Sequence, residues 1–321
     1  MSKRQKLSFF RLEDLPNEIL LKILSLSNIK GVLQCGQVSK RLRAVSNDQS
    51  LWLKLNFFGR EVPYGLIEKA VKNGCEYLNL GFSVVNGGKK SKVPWKLKYL
   101  EISQFGDNEW IVPKGVLENC HFLQKLAVDN LILRSEDVEH ICQNGETLEI
   151  LSFEGCHIHT GNIDTLQKTE LIQKLLTKCP QLTEFNVSKN LRCSYICGSN
   201  ILVGPHISAV VENLTPNISK LSFGHQECVR DHHVNTLVHR CNKITELDLS
   251  CTPITNVSID SIIKHLNSLE KLNIDYTNID FSTLLRLKSI KTLKVLRCFG
   301  WDSEEDDEKI KNLKLELPHI S

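Results

Sequence analysis

"ITELDLSCTPITNVSIDSIIKHLNSLEKLNI", residues 244–274, carries one six-residue figure at both of its ends. Ile244, Leu247 and Leu249 hold positions one, four and six of the first copy; Leu269, Leu272 and Ile274 hold them in the second, 25 residues later. Side chains alternate along an extended chain, so positions four and six face the same side of a short strand. Between the copies, Ile259, Ile262, Ile263 and Leu266 fall on one helical stripe, the spacing of a helix that covers such a strand. A unit of this kind cannot enclose its own apolar face, and stacked copies bury each other's.

The figure recurs from Cys75, Leu97, Leu123, Leu148, Leu182, Ile218 and Ile290, with successive offsets of 22, 26, 25, 34, 36, 26, 25 and 21 residues. The two long offsets flank residues 159–168 and 187–204, which read as insertions. Further helical stripes lie in residues 135–145, 206–214 and 234–241, the first with Ser135 as its N-cap. Position nine, where the chain turns inward, calls for a small or hydrogen-bonding residue. Cys156, Asn190, Thr252, Thr277 and Cys298 fit, whereas Phe105 and Leu131 do not. Cys120, Cys179 and Cys241 each precede the figure by three residues, and the array resembles the cysteine-containing leucine-rich repeats. The expected fold is α/β: a solenoid over residues 75–300 with parallel strands on its concave face and helices on its convex face.

The outward residues of such strands form a shallow polar sheet suited to gripping a protein. Glu101, Asn186, Ser222, Asp248, Asn273, Asp275 and Lys294 are the candidate substrate-contact residues. Ala127 and Ser152 share the first outward row, and Ser103, Asp129, Glu154, Ser188, Gly224, Ser250 and Leu296 the second.

The chain has 321 residues, is 41% hydrophobic and 24% charged, and sets 40 basic against 37 acidic residues for a net charge of +3. That balance gives no pull towards nucleic acid or an acidic membrane. The greasiest run, residues 19–26, is interrupted by Lys22 and is far short of a membrane span. No signal-peptide pattern opens the sequence, so the 12 cysteines are expected as reduced thiols, in the cytoplasm or nucleus. "KRQK" (3–6) reads as a solvated basic tail within residues 1–11, with nuclear import as the alternative.

Residues 12–24, "LEDLPNEILLKIL", pose a different problem. Ile19, Leu20, Leu21, Ile23, Leu24 and Leu26 cover well over half of a helix that Pro16 opens and Glu18 favours at its positive end. Val38, Leu42 and Val45 continue the pattern, followed by Leu51, Trp52 and Leu55. Residues 12–56 thus read as three short helices with more apolar surface than so small a unit can enclose. A partner must cover the rest. The segment resembles an F-box, which docks on the Skp-family adaptor of cullin–RING ubiquitin ligases. Leu15, Pro16, Glu18, Ile19, Leu20, Ile23, Leu24, Val38, Lys40, Arg41, Leu51 and Trp52 match it and are the implied adaptor-binding residues. Leu42 stands where the family has Trp, which implies a lost adaptor anchor.

F-box followed by these repeats is the F-box/leucine-rich-repeat arrangement. It implies a non-catalytic substrate-recognition subunit, joined through the adaptor to cullin and indirectly to a RING subunit. The alternative is a repeat scaffold that recruits no ligase. Residues 57–74 read as a linker helix or first cap of the array, and residues 301–321 as an acidic linker and C-terminal cap.

Other chemistry finds little support. "NGGKK" (86–90) lacks the phosphate-loop spacing, and neither a serine elbow nor a metalloprotease helix occurs. Cys193 and Cys197 with His206, or Cys228 with His232 and His233, lack paired zinc-ligand spacing, so neither metal nor cofactor is expected. "GGKKSKVPWKLK" (87–98) is a basic loop, solvated or facing an acidic or phosphorylated partner.

Overall fold

The computed structural model describes residues 11–89, 91, 94–103, 112–159, 165–189, 204–300 and 315–316. The basic patch at 3–6, most of both insertions with Cys193 and Cys197, and the acidic run at 301–309 lie outside them.

The head consists of α1 (Asn17–Ser25), α2 (Ile29–Val38) and α3 (Lys40–Ser46). Asn28 Oδ1 caps α2 by accepting from the Gly31 N–H at 2.9 Å, and Ser39 Oγ caps α3 by accepting from Leu42 at 3.2 Å. Leu20, Leu24, Val32, Leu42 and Val45 form its interior with Trp52. A Cβ on Gly36 would stand 2.4 Å from Ser46 Oγ, so this glycine permits the close approach of α2 and α3.

Fourteen strands of three residues follow: β1 (Lys54–Asn56), β2 (Glu61–Pro63), β3 (Tyr77–Asn79), β4 (Val84–Asn86), β5 (Tyr99–Glu101), β6 (Lys125–Ala127), β7 (Ile132–Arg134), β8 (Ile150–Ser152), β9 (His157–His159), β10 (Glu184–Asn186), β11 (Lys220–Ser222), β12 (Glu246–Asp248), β13 (Lys271–Asn273) and β14 (Val295–Arg297). Ten of them form one parallel sheet in chain order, β1-β3-β5-β6-β8-β10-β11-β12-β13-β14; β2 pairs with β4 and β7 with β9. The returning halves are α4 (Tyr64–Lys72), α5 (Ser135–Cys142), α6 (Thr165–Lys178), α7 (Gly204–Asn213), α8 (Asp231–Arg240), α9 (Asn256–His265) and α10 (Phe281–Leu285). Helix α5 starts at Ser135, but its N-cap is Arg134, whose N–H donates to Asp137 at 2.8 Å.

The sheet begins one unit earlier than the sequence reading placed it. β1 pairs with β3 in register, which makes "WLKLNF" (52–57) a copy of the figure with Trp52 at position one. Residues 57–74 are the returning half of that unit and not a linker. The last unit is also shifted. β14 pairs Lys271 with Val295 and Asn273 with Arg297, so the figure starts at Leu293, not Ile290. Leu296 therefore points inward at position four and belongs to no outward row.

Burial follows the figure. Position one is at most 1% exposed in all ten units, from Trp52 to Leu293. Position four is buried in the eight inner units and half-buried at Leu55 and Leu296, where a neighbour is missing on one side. Position nine closes the turn by donating to a position-six carbonyl. Ser83 reaches Phe57 at 2.6 Å, Gln226 reaches Val187 at 2.5 Å, and Thr277 reaches Ile274 at 2.7 Å. Leu131, the apparent misfit there, is instead buried at 1% exposure.

Truncating an inner position four, Leu247→Ala, is expected to cost about 2–5 kcal/mol by loss of transfer energy and an unfilled cavity, read from denaturant unfolding. A second expectation concerns His233, buried at the start of α8, where Nδ1 accepts from the Arg230 N–H at 3.1 Å and Nε2 meets Ser208 Oγ at 3.2 Å. Burial, together with His232 and Arg230, pushes its pKa down from 6.5 to about 4. The folded state holds this ring neutral while the unfolded chain protonates below 6.5. Its contribution is therefore complete above 6.5 and lost as pH falls towards 4. Unfolding midpoints of wild type and His233→Asn across that window should converge on acidification.

Candidate functional site: the head stripe and the concave sheet

On α1, Ile19, Ile23 and Leu26 stand at i, i+4 and i+7, one stripe along the helix. All three are exposed, at 45%, 39% and 86%. Val38 at the end of α2 is 73% exposed and Leu12 is 45% exposed. Five large apolar side chains exposed on so small a head, three of them in one helical stripe, are a feature that marks interaction surfaces. Pro16, Glu18 and Lys40 are exposed as well, and Leu15 and Leu51 are half-buried.

Three residues implied as adaptor contacts prove to be interior. Leu20 is 1% exposed, Leu24 5% and Trp52 0%, because the opposite face of α1 and the start of the first repeat unit build the head's own core. Trp52 donates its indole N–H to the Ser46 carbonyl at 2.7 Å. Arg41 braces the chain entering α1: its Nη2 donates to the Leu15 carbonyl at 2.7 Å and to Asn17 Oδ1 at 3.0 Å, and its Nη1 donates to the Glu13 carbonyl. Leu42 is 2% exposed and packs in the interior of the head. Leu12 and Leu26, absent from the motif match, join the exposed patch. Their signal was the surplus of aliphatics around α1.

The concave face is built of rows running across the ten strands. Position three carries Lys54, Tyr77, Tyr99, Lys125, Ile150, Glu184, Lys220, Glu246, Lys271 and Val295. Tyr77 and Tyr99 pack 6.3 Å apart between Lys54 and Lys125, whose ammonium groups lie over the two rings. Lys220 bridges Glu184 at 2.9 Å and Glu246 at 3.6 Å, and Lys271 reaches Glu246 at 3.2 Å. These pairs are exposed and contribute little each, but they lock the row in register.

Position five carries Asn79, Glu101, Ala127, Ser152, Asn186, Ser222, Asp248, Asn273 and Arg297; position seven adds Ser103, Asp129, Glu154, Ser188, Ser250 and Asp275. Here Asn and Asp accept from the N–H two residues on, as Asn186 does from Ser188 at 3.0 Å and Asp248 from Ser250 at 3.0 Å. Bonds between units join them sideways. Asn186 donates to Glu154 at 3.3 Å, Ser188 meets Ser222 at 2.5 Å, and Ser222 donates to Asp248 at 3.0 Å. Of the candidate contacts, Glu101, Asn186, Ser222, Asp248 and Asn273 line one groove; Asp275 lies at its strand-exit edge, 3.0 Å from Arg297.

Lys294 does not join them. With the last unit starting at Leu293 it holds position two, outside the concave rows, where it pairs with Glu270 at 2.9 Å. Arg297 takes the outward place assigned to it. Asp129 and Glu154, in the second outward row of the sequence reading, both lie on this face. Asp129 accepts from Ser152 at 2.6 Å and from the Glu154 N–H at 2.9 Å, and burial, with Glu154 and Glu101 adding, pushes its pKa up to about 6.

Among the described residues, no group of three or more His, Cys, Asp or Glu is placed to hold a metal ion. Burial raises the thiol pKa at Cys75, Cys120, Cys142, Cys179 and Cys241, as it does for packed core sulfurs and not for nucleophiles. No helix among the described residues is long and apolar enough to cross a membrane.

Residues 65–321 match the family model described as the SKP2 LRR domain, and residues 12–57 match the F-box-like model. F-box only protein 15 from Bos taurus is 30% identical over 91 residues, which are 28% of this chain and 18% of that protein; the chain thus spans under a fifth of that relative's length. Among solved structures, an internalin (inlF) from Listeria monocytogenes aligns over 97% of this chain and 98% of its own, at 14% identity and a TM-score of 0.42. The actin-binding site 2 of leiomodin-1 aligns over 56% of this chain and 87% of its own, at 14% identity and a TM-score of 0.28.

The raised carboxyl of Asp129 has a sign that can be checked. The unfolded chain ionises near 3.8 and the folded one near 6, so this group's stabilising effect is complete below 3.8 and is lost as pH rises towards 6. Asp129→Asn keeps the acceptor oxygen and removes the charge. It should raise the unfolding temperature above pH 6 and change it little at pH 3.5.

Proposed function

This chain belongs to the F-box and leucine-rich-repeat family, with repeats similar to those of SKP2, and on that premise we propose that it is the substrate receptor of an SCF-type ubiquitin ligase. The head fastens to a Skp-family adaptor, which carries the cullin and, through it, the RING subunit. The concave sheet holds the protein to be modified. Ubiquitin chemistry takes place on the other subunits, in the cytoplasm or nucleus. This chain contributes proximity, turning a bimolecular encounter into one at high effective concentration.

The exposed stripe of Ile19, Ile23 and Leu26, with Val38, carries the reading. These side chains are left in water by a head whose interior is already filled by Leu20, Leu24, Leu42 and Trp52. Covering them is worth roughly 25 cal/mol per Å2 of apolar surface removed from water.

Purified chain and adaptor are expected to co-elute. Ile23→Asp combined with Val38→Asp should separate them while retaining a cooperative circular dichroism melt, since neither residue belongs to the buried core of the head. Continued co-elution of that double variant would refute the stripe. Leu20→Asp is a poor substitute, because it places a charge in the head's interior and unfolds it.

A further inference from the structure

Head and repeats meet along a cleft of about 1260 Å3, and none of its lining residues belongs to α1. Three stretches of chain supply its walls: α2 and α3 with Asn47 and Gln49, α4 with the residues that follow it to Glu76, and residues 91 and 94–96 of the basic stretch. Each contributes cations. Arg43 comes from α3, Lys69 and Lys72 from α4, and Lys96 from the loop. None of the four forms an ion pair among the described residues. The two carboxylates in the lining are engaged by other lysines, Glu76 with Lys98 at 2.8 Å and Glu68 with Lys89 at 3.9 Å. The cleft therefore holds four cations with no ion-pair partner among the described residues, a surplus of positive charge over Glu68 and Glu76.

Two of the cations are held in place. Arg43 Nε donates to the Gly36 carbonyl at 3.0 Å, and Lys69 Nζ lies 5.4 Å from the Trp52 ring. The walls are tied at the base by Asn73 Nδ2 donating to Asn47 Oδ1 at 3.3 Å and by Gln49 Nε2 donating to the Gly74 carbonyl at 3.5 Å. Gly74 has φ +93, and a Cβ there would stand 2.7 Å from Gln49, so a glycine is required for the walls to approach. The lining is also apolar in part, through Leu33, Val71, Pro94 and Trp95. A phosphate-sized anion would leave most of this space empty and gain nothing from the apolar wall. A carboxylate-rich polypeptide with interspersed aliphatics matches both charge and surface.

We propose that this cleft docks an acidic, extended segment of a partner protein. The site is separate from the adaptor stripe and from the concave sheet, and it does not rest on either being occupied.

The test uses the full chain and a short fluorescein-labelled peptide of Glu-Glu-Leu repeats, with a Gln-Gln-Leu peptide as its neutral counterpart. At roughly 0.15 M salt the Glu peptide should raise the anisotropy, the Gln peptide should not, and added salt should weaken the binding. Lys72→Glu with Lys96→Glu should weaken it about tenfold or more, whereas Lys288→Glu with Lys291→Glu, an equal charge change on exposed residues elsewhere, should leave it unaltered. Absence of Glu-peptide binding overturns the proposal. So does equal weakening by both double variants, which means diffuse charge attraction, or a cleft that takes inositol hexakisphosphate and refuses the peptide. Adaptor co-elution of the Lys72/Lys96 variant separates these outcomes from a failure of the head stripe.

Discussion

A strand of three residues has no stability of its own, and the described residues contain fourteen of them. What makes the large sheet persist is a lateral ladder that continues past each strand's end. The position-six N–H donates to the position-five carbonyl of the next unit, as Leu249 does to Asn273 at 2.8 Å and Ile274 to Arg297 at 2.8 Å. The position-eight N–H then donates to the position-seven carbonyl, as His225 does to Ser250 at 2.7 Å and Tyr276 to Phe299 at 2.6 Å. At most of these second bonds the position-eight residue has left-handed backbone, although Lys189 makes the bond to Gly224 at 2.8 Å without it. Phe82, Asn130, His225, Cys251 and Tyr276 adopt it with φ between 53 and 61. Each such residue costs roughly 1–2 kcal/mol. The same compromise recurs from unit to unit because the backbone bond and the buried leucine beneath it outweigh that cost.

The same ladder explains where sequence reading succeeded and where it slipped. Apolar residues at positions one, four and six are dictated by burial, so eight units were legible from residue types alone. The first was missed because its position one is Trp52, a residue that also fills the head and matches the F-box. Two modules share one side chain, and a motif search assigns it once. The last was placed three residues early because Ile290, Leu293 and Leu296 are spaced by three, so either frame satisfies the pattern. Only pairing with β13 chooses between them, and pairing is a long-range fact. On the head, a motif match could not separate inward from outward residues. Leu20 and Ile19 are neighbours of like chemistry on opposite faces of α1, and the interior they border was not visible until α3 and Trp52 were in place.

Electrostatics divides the concave face into parts with different uses. At position three the charges of Glu184, Lys220, Glu246 and Lys271 answer one another, so a ligand would have to break existing pairs to use them. At positions five and seven, Glu101, Asp129, Glu154 and Asp248 are held by neutral donors and keep their acceptor oxygens turned to the groove. The N-terminal end differs again, with a Tyr77–Tyr99 shelf between two lysines. Hydrogen bonding and aromatic contact are therefore the interactions this surface offers, and the paired row serves to keep the sheet in register.

Trp52 ties these surfaces into one object. Its indole bonds to the end of α3, its ring lies beneath Lys69 of α4, and its backbone leads directly into β1. A receptor that works by proximity depends on the fixed orientation of what it grips relative to what grips it. Had the head been joined to the array by a flexible linker, the effective concentration at the reacting groups would fall as the linker lengthened. Here the last side chain of the head is the first side chain of the solenoid. One continuous buried core therefore runs from beneath the apolar stripe on α1 to beneath the polar rows of the sheet.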